Sequence, residues 1–355
     1  MRFAPWGRGS QRNQSSFDHY GFVDNAKAIG IVLVVLGHSR GLPDSLIRLI
    51  FSFHVPLFFF ISGFLVKPNK LGADVCSNAK KILQTLGIPY LLFFSLAFVY
   101  WLATRHMGAK ALLYAGKTWY GPIVGLFSGL ESDLYVDPPL WFFPCFILTA
   151  ITYQASRKFL TLKASTCLYA VLAFFLSVLW KYDSYRLPLG LDSMWIALSF
   201  YAVGQYVREK NVFSNIRSFY IVAILLISSA LLIYASSFND RVDLANMYFG
   251  IRPALYLPTA LLGIIAVFSI SQLLPSSRLS RWLSENTLTI FPAHFIFLSL
   301  IRGGAMSLHM LPNNYQYGIG WSVVSSAMAI LLCVPFAYLL RRLPILRKPV
   351  LSNNA

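Results

Sequence analysis

Four ionisable side chains stand inside apolar stretches of this chain. Lys27 and His38 lie in DNAKAIGIVLVVLGHS (24–39), His54 in FSFHVPLFFFISGFLV (51–66) and His294 in SENTLTIFPAHFIFLSL (284–300). A charge at the centre of a membrane helix costs roughly 2.5–3.5 kcal/mol on insertion scales, so one that persists there marks a functional site by default. Lys27 and His38 are eleven positions apart, which at about 100° per residue is three turns plus about 20° and a rise of about 16 Å. They share one helical face. Alone, Lys27 reads equally as a side chain snorkelling to the headgroups, and His38 as an interfacial histidine. The second stretch sets His54 at a depth similar to His38 on the neighbouring antiparallel helix, so two imidazoles can share one pocket. Pro56 frees a backbone carbonyl near residue 52 and kinks its helix, as Pro292 does before His294. Single buried histidines are usually satisfied core residues, whereas three at membrane depth, two of them near prolines, suggest a reaction centre or a proton path.

The elements that hold these residues follow from composition. Of 355 residues, 57% are hydrophobic and 12% charged, and mean hydropathy is +0.60, against roughly 25% charged in soluble domains. The fold expected is an all-α integral membrane protein. Apolar stretches long enough to span fall at about 24–41, 46–66, 82–103, 140–156, 164–180, 189–207, 218–237, 252–274, 286–302 and 318–340. Asp137 before Pro138 and Pro139 reads as a helix start, while SFNDRVD and LPNNYQYG read as turns. Nothing repeats at a fixed period, and no linker separates two domains. A polar tail (1–22), one transmembrane domain (23–341) and a basic tail (342–355) are expected, with no cleaved signal peptide. Cys76, Cys145, Cys167 and Cys333 have no metal-ligand or CxxC spacing, so neither a disulfide nor a metal site is expected.

Charge gives an independent check on topology. With ten spans and both termini cytoplasmic, 20 Lys/Arg fall inside and 10 outside, while acids divide 5 inside and 8 outside, as the positive-inside rule requires. The net charge of +17 is explained by topology and anionic lipid, and no clustered basic stripe points to nucleic acid. The longest outer loop, about 104–139, mixes Trp119, Tyr120 and Tyr135 with Glu131, Asp133 and Asp137. Such a surface can stack on sugar rings and hydrogen-bond their hydroxyls, or serve as an aromatic interfacial segment.

The Lys-x10-His spacing of Lys27 and His38, followed by FSFHVPLFFFISGFLV, PLWFFPCFI (139–147) and ENTLTIFPAH (285–294), resembles the membrane-bound acyltransferase-3 family. The likeness covers essentially the whole chain and looks closest to the fucose 4-O-acetylase branch, which includes nodulation-factor and exopolysaccharide O-acetyltransferases. Two departures are visible: the family's first basic position is more often arginine, and its RxxR-like element is represented here by Lys67 and Lys70.

The resemblance implies O-acylation of a glycan, with acetyl-CoA as donor substrate, no bound cofactor, and a surface, secreted or lipid-linked sugar as acceptor. It implies a bacterial plasma-membrane enzyme working beside polysaccharide assembly machinery. His38 then serves as general base and His54 orients its partner or stabilises the oxyanion. Lys27, with Lys67 and Lys70, meets the phosphates of CoA. His294, Trp141, Asp133 and Glu131 are auxiliary or acceptor-side groups. Donors other than acetyl, such as succinyl, and acceptors such as glucans or lipids remain open. A proton-coupled transporter is the alternative from another class, although the halves lack the symmetry common in transporters; GxSxG and HExxH motifs are absent.

Overall fold

The computed structural model describes residues 21–66, 74–181, 185–213, 216–310 and 317–342. Lys67 and Lys70, and nearly all of both tails, lie outside the described residues.

Ten principal helices are present: α1 (Gly21–His38), α2 (Asp44–Leu65), α3 (Val75–Thr104), α4 (Phe142–Ser156), α5 (Leu162–Leu179), α6 (Leu191–Glu209), α7 (Ser218–Ser237), α8 (Tyr256–Leu273), α9 (Thr287–Ser307) and α10 (Ile319–Arg341). Each coincides with one of the ten apolar stretches. Eight are long and apolar enough to cross a membrane. The exceptions have physical reasons: α4 has only 15 residues, fewer than the roughly 17 needed to span, and α6 carries Asp192, Arg208 and Glu209. A π-helical turn, Leu83–Gly87, interrupts α3. No strand forms among the described residues. The chain is therefore an all-α integral membrane protein.

Helices α1, α2 and α8 make the centre. Helix α1 packs against α2, α8, α9 and the short helix Arg278–Glu285, and α2 packs against α6 and α8. The α2–α6 crossing is close enough that a Cβ on Gly63 would overlap the Tyr201 carbonyl, and one on Gly204 the Phe60 carbonyl. Small residues permit this approach where lipid gives no hydrophobic drive. The turn between α1 and α2 needs Gly41, whose φ of +105° and contact with the backbone of Gly318 both exclude a side chain.

Loops 39–43, 105–137, 185–190 and 239–252 gather at the His38 end. There Glu131 meets Asn246, Arg186 meets the carbonyl of Ala245, and Ser322 on α10 meets the carbonyl of Arg40. The helix start expected at Asp137 is found as a 3-10 turn, Pro138–Trp141, running into α4, but the Asp137 side chain does not cap it. Its carboxyl is fully buried with no hydrogen-bond partner among the described residues, and burial holds its pKa well above the usual carboxylate range. The neutral acid is the form that avoids an uncompensated buried charge.

Candidate active site

The three histidines converge. The His38 ring lies 6.3 Å from His54 and 5.0 Å from His294, centroid to centroid. Phe51, one turn before His54 on α2, touches both His38 (5.6 Å) and His54 (4.7 Å). His54 and His294 are 3% and 0% exposed, while His38 is half-buried and opens onto a cavity. The cavity is open to one side and also reaches Glu131, Trp141, Arg241 and Asp243.

Each ring is tied in the same way. Nδ1 of His38 lies 2.8 Å from the carbonyl of Val34, Nδ1 of His54 lies 2.9 Å from that of Ile50, and Nδ1 of His294 contacts that of Phe291. A carbonyl oxygen only accepts, so Nδ1 must carry the proton in all three. In each neutral ring Nε2 then keeps its lone pair. The Nε2 of His294 is buried and meets no donor among the described residues. Two such lone pairs cannot hydrogen-bond to each other, so the cluster lacks a proton that a hydroxyl or an imidazolium supplies.

The mouth is built by segment 239–252. Arg186 grips Asp192 at the start of α6 through two bonds of 2.5 and 2.9 Å, and also donates to the carbonyl of Ala245 at 2.6 Å. Ser193 donates to the carbonyl of Leu244 at 2.9 Å. A fork-shaped guanidinium paired bidentately fixes both position and angle. Asn239 closes the segment on itself, donating to the carbonyl of Phe249 and accepting from the amide of Arg252. This frame places the Asn246 amide between two carboxylates, Glu131 at 2.5 Å and Asp243 at 2.9 Å. Burial, aided by the Asp243 charge, pushes the Glu131 pKa up to about 7, against the pull of the Asn246 hydrogen bond. Arg241 sets its guanidinium 4.0 Å above the Phe51 ring.

His38, His54, Glu131 and Trp141 thus meet at one cavity, with His294 behind His38. Asp133 does not line it; this carboxylate accepts from Ser128 at 2.6 Å and closes its own loop. Lys27 stands three turns away along the unbroken α1, beside Asp24. Asn286 does not cap α9 through its side chain; its amide donates to the carbonyl of Trp282 and accepts from Arg341. Arg241, Asp243, Asn246, Phe51 and Phe291 were not singled out from the sequence. The only hint was the three charged residues, Asp240, Arg241 and Asp243, inside SFNDRVD.

No group of histidine, cysteine and acidic side chains suited to a metal ion occurs among the described residues. A multi-pass membrane protein with a buried imidazole cluster open to one end defines the class: a proton-handling membrane catalyst or carrier. Comparison with known families decides between them. The acyltransferase domain of the acyltransferase-3 family matches residues 20–339, and the chain belongs to that family. It is a membrane acyltransferase. No curated protein and no solved structure shows significant similarity to the chain.

Proposed function

We propose that the protein transfers an acetyl group from acetyl-CoA to a hydroxyl of a surface or secreted glycan, or of its lipid-linked precursor. The observation that carries the mechanism is the common tie of the three imidazoles, which leaves Nε2 of His38 unprotonated at the cavity. A sugar hydroxyl is a poor nucleophile at neutral pH. His38 Nε2 takes its proton as the oxygen attacks the thioester carbonyl carbon, a contribution worth about 10²- to 10⁴-fold. The carbon–sulfur bond breaks, the ester forms, and the proton passes to the departing CoA thiolate. In the interval His38 is an imidazolium with two N–H groups, one held by Val34. The buried lone pair of His294, in a ring 5.0 Å away, is suited to accept the other. Glu131, Asp243 and Trp141 receive the sugar; Lys27, with Lys67 and Lys70, meets the phosphates of CoA from the opposite end.

The reading places the His38 end outside the cell and the Asp24 end in the cytoplasm of a bacterial plasma membrane. Labelling of single cysteines introduced at Lys81 and Asp133 by an impermeant reagent tests it. Access to position 133 alone is expected in intact cells, and the reverse would exclude the two-compartment mechanism. The activity itself is tested by transfer of isotopically labelled acetyl from acetyl-CoA to glycan in membranes carrying the wild type or His38→Ala at matched expression. Label is expected with the wild type and not with the variant. Failure with acetyl-CoA but transfer from succinyl-CoA would move the donor and keep the class.

A further inference from the structure

A second polar cluster at the His38 end lies outside the lining of the histidine cavity. At its centre is Tyr100 on α3, whose hydroxyl lies 3.2 Å from Ser299 of α9 and accepts from Lys110 at 3.0 Å. Lys110 also donates to Thr104 at 2.9 Å. One turn beyond Ser299 on α9 is Arg302, half-buried and within electrostatic reach of Tyr100, Tyr114, Tyr317 and Arg40. Arg40, two residues past His38, sits 5.9 Å above the Tyr317 ring. Arg105 lies 4.6 Å over Trp101 and Lys117 lies 5.2 Å over Tyr135, and the first donates to the carbonyl of the second.

Four of these cations, Arg40, Arg105, Lys110 and Lys117, are thus seated on aromatic faces, and among the described residues neither they nor Arg302 form an ion pair with a carboxylate. Rings orient cations without neutralising them. Arg40 and the half-buried Arg302 repel each other; Tyr317, Tyr100 and Tyr114 ease that repulsion, but no carboxylate among the described residues pairs with either guanidinium. Topology gives no reason for it either, since this end holds the smaller share of the chain's Lys and Arg. Among the described residues, what the cluster lacks is an anion. Around it the surface is apolar: Met107, Leu112 and Leu113 are 64%, 85% and 67% exposed, and Leu308 and Met310 are each 72% exposed. A ligand carrying a compact multiple negative charge on a hydrocarbon tail satisfies both features, and arginine forks suit phosphate oxygens.

We infer that Arg40, Arg302 and Lys110 bind the phosphate or diphosphate headgroup of a membrane lipid, so that a lipid-linked acceptor is anchored here while its sugar enters the His38 cavity. The sugar's fate rests on the proposed function; the headgroup site does not. The full-length protein, reconstituted in nanodiscs, would be titrated with a polyprenyl diphosphate, with inorganic pyrophosphate and with phosphatidylglycerol, reading binding by native mass spectrometry. Tight binding is expected only for the polyprenyl diphosphate. Weakening of about tenfold is expected in each of Arg302→Gln and Arg40→Gln, as for loss of one charge-assisted contact. Arg341→Gln, at the opposite end, and His38→Ala should bind like wild type, which separates this site from the chemistry. Arg40 is exposed, so its variant reports even where the Arg302 variant folds poorly. Unchanged affinity in Arg40→Gln, or no binding by wild type, would overturn the site. Inorganic pyrophosphate or phosphatidylglycerol binding as tightly as the polyprenyl diphosphate would overturn its assignment to a lipid-linked acceptor.

Discussion

The two ends of α1 are built on opposite rules. At the Asp24 end, polar side chains are spent on packing: Asp24 accepts from Ser284 at 2.6 Å, and Asn25 donates to the carbonyls of Ser271 (3.1 Å) and Leu274 (2.9 Å). These bonds tie α1 to the end of α8 and to the short helix before α9. At the His38 end each imidazole spends one nitrogen on its own helix and keeps the other open. A satisfied polar group fixes geometry, whereas an unsatisfied buried one costs about 1–3 kcal/mol and persists where it does something else. The same helix therefore carries its staple, beside the proposed donor contact of Lys27, at one end and its proton chemistry at the other.

Substitution at the two ends should separate these roles. His38→Gln leaves an amide that can still meet the Val34 carbonyl but supplies no base near neutral pH. Turnover should fall about 10²- to 10⁴-fold with little change in thermal midpoint, measured by acyl transfer and by a melting assay on the same preparation. Comparable turnover in wild type and variant would remove His38 from the chemistry. At the other end, Asn25→Leu strands two carbonyls at the α8 terminus. A loss of about 1–3 kcal/mol in stability is expected, with turnover per folded molecule retained. A large turnover loss with an unchanged melting midpoint would show that Asn25 itself acts on the donor beside Lys27 and is not a packing group.

Backbone contact offers a third comparison, between the packed centre and the chemistry it supports. Gly63→Ala forces a methyl into the Tyr201 carbonyl, and overpacking of this kind costs about 1–3 kcal/mol. Helices α2 and α6 should separate slightly, lowering the melting midpoint and raising the acceptor KM, since α6 starts at the Asp192 anchor of the mouth. An unchanged acceptor KM in a destabilised Gly63→Ala would uncouple the mouth from this crossing.

How much of this was readable in the chain depends on how far each contact reaches. The helices were legible because spanning a bilayer demands apolar runs of a given length, which composition displays directly. His38 and His54 were legible as neighbours because a short turn joins their helices. His294 was visible as a buried histidine, but its 5.0 Å approach to His38 depends on α9 packing against α1 across more than 250 residues, which no local pattern encodes. Arg241 and Asn246 were hidden for another reason. SFNDRVD (237–243) has the composition of any polar turn, and its part in the cavity, with that of Asn246 just beyond it, arises only because Arg186 and Ser193 pin the intervening Ala245 and Leu244 carbonyls. Asp133 was overvalued for the converse reason: an acid in an aromatic loop looks like a sugar contact until its Ser128 partner is seen.

The smallest expected effect lies inside the mouth itself, where Glu131 and Asp243 share one amide but differ in what that sharing does. Glu131 is raised to about 7 by burial and by the neighbouring charge, so near neutral pH it is only partly ionised. A carboxylate accepts a sugar hydroxyl more strongly than a carboxylic acid does. As pH falls through about 7, Glu131 takes up its proton and acceptor KM should rise, by about tenfold for loss of one charged hydrogen bond. Glu131→Gln keeps the shape and removes the titration, so its acceptor KM should be high and flat over the same range, with donor KM unchanged. The linked stability moves with the opposite sign. Because the folded pKa lies above the ordinary carboxyl value of 4.5, the wild type is favoured below that value, relative to the glutamine variant, and loses the advantage as pH rises towards about 7. A mouth in which affinity for sugar improves over the interval where stability declines is the signature of a carboxyl held for binding. A wild-type KM as flat as the variant's would reduce Glu131 to part of the frame that holds Asn246.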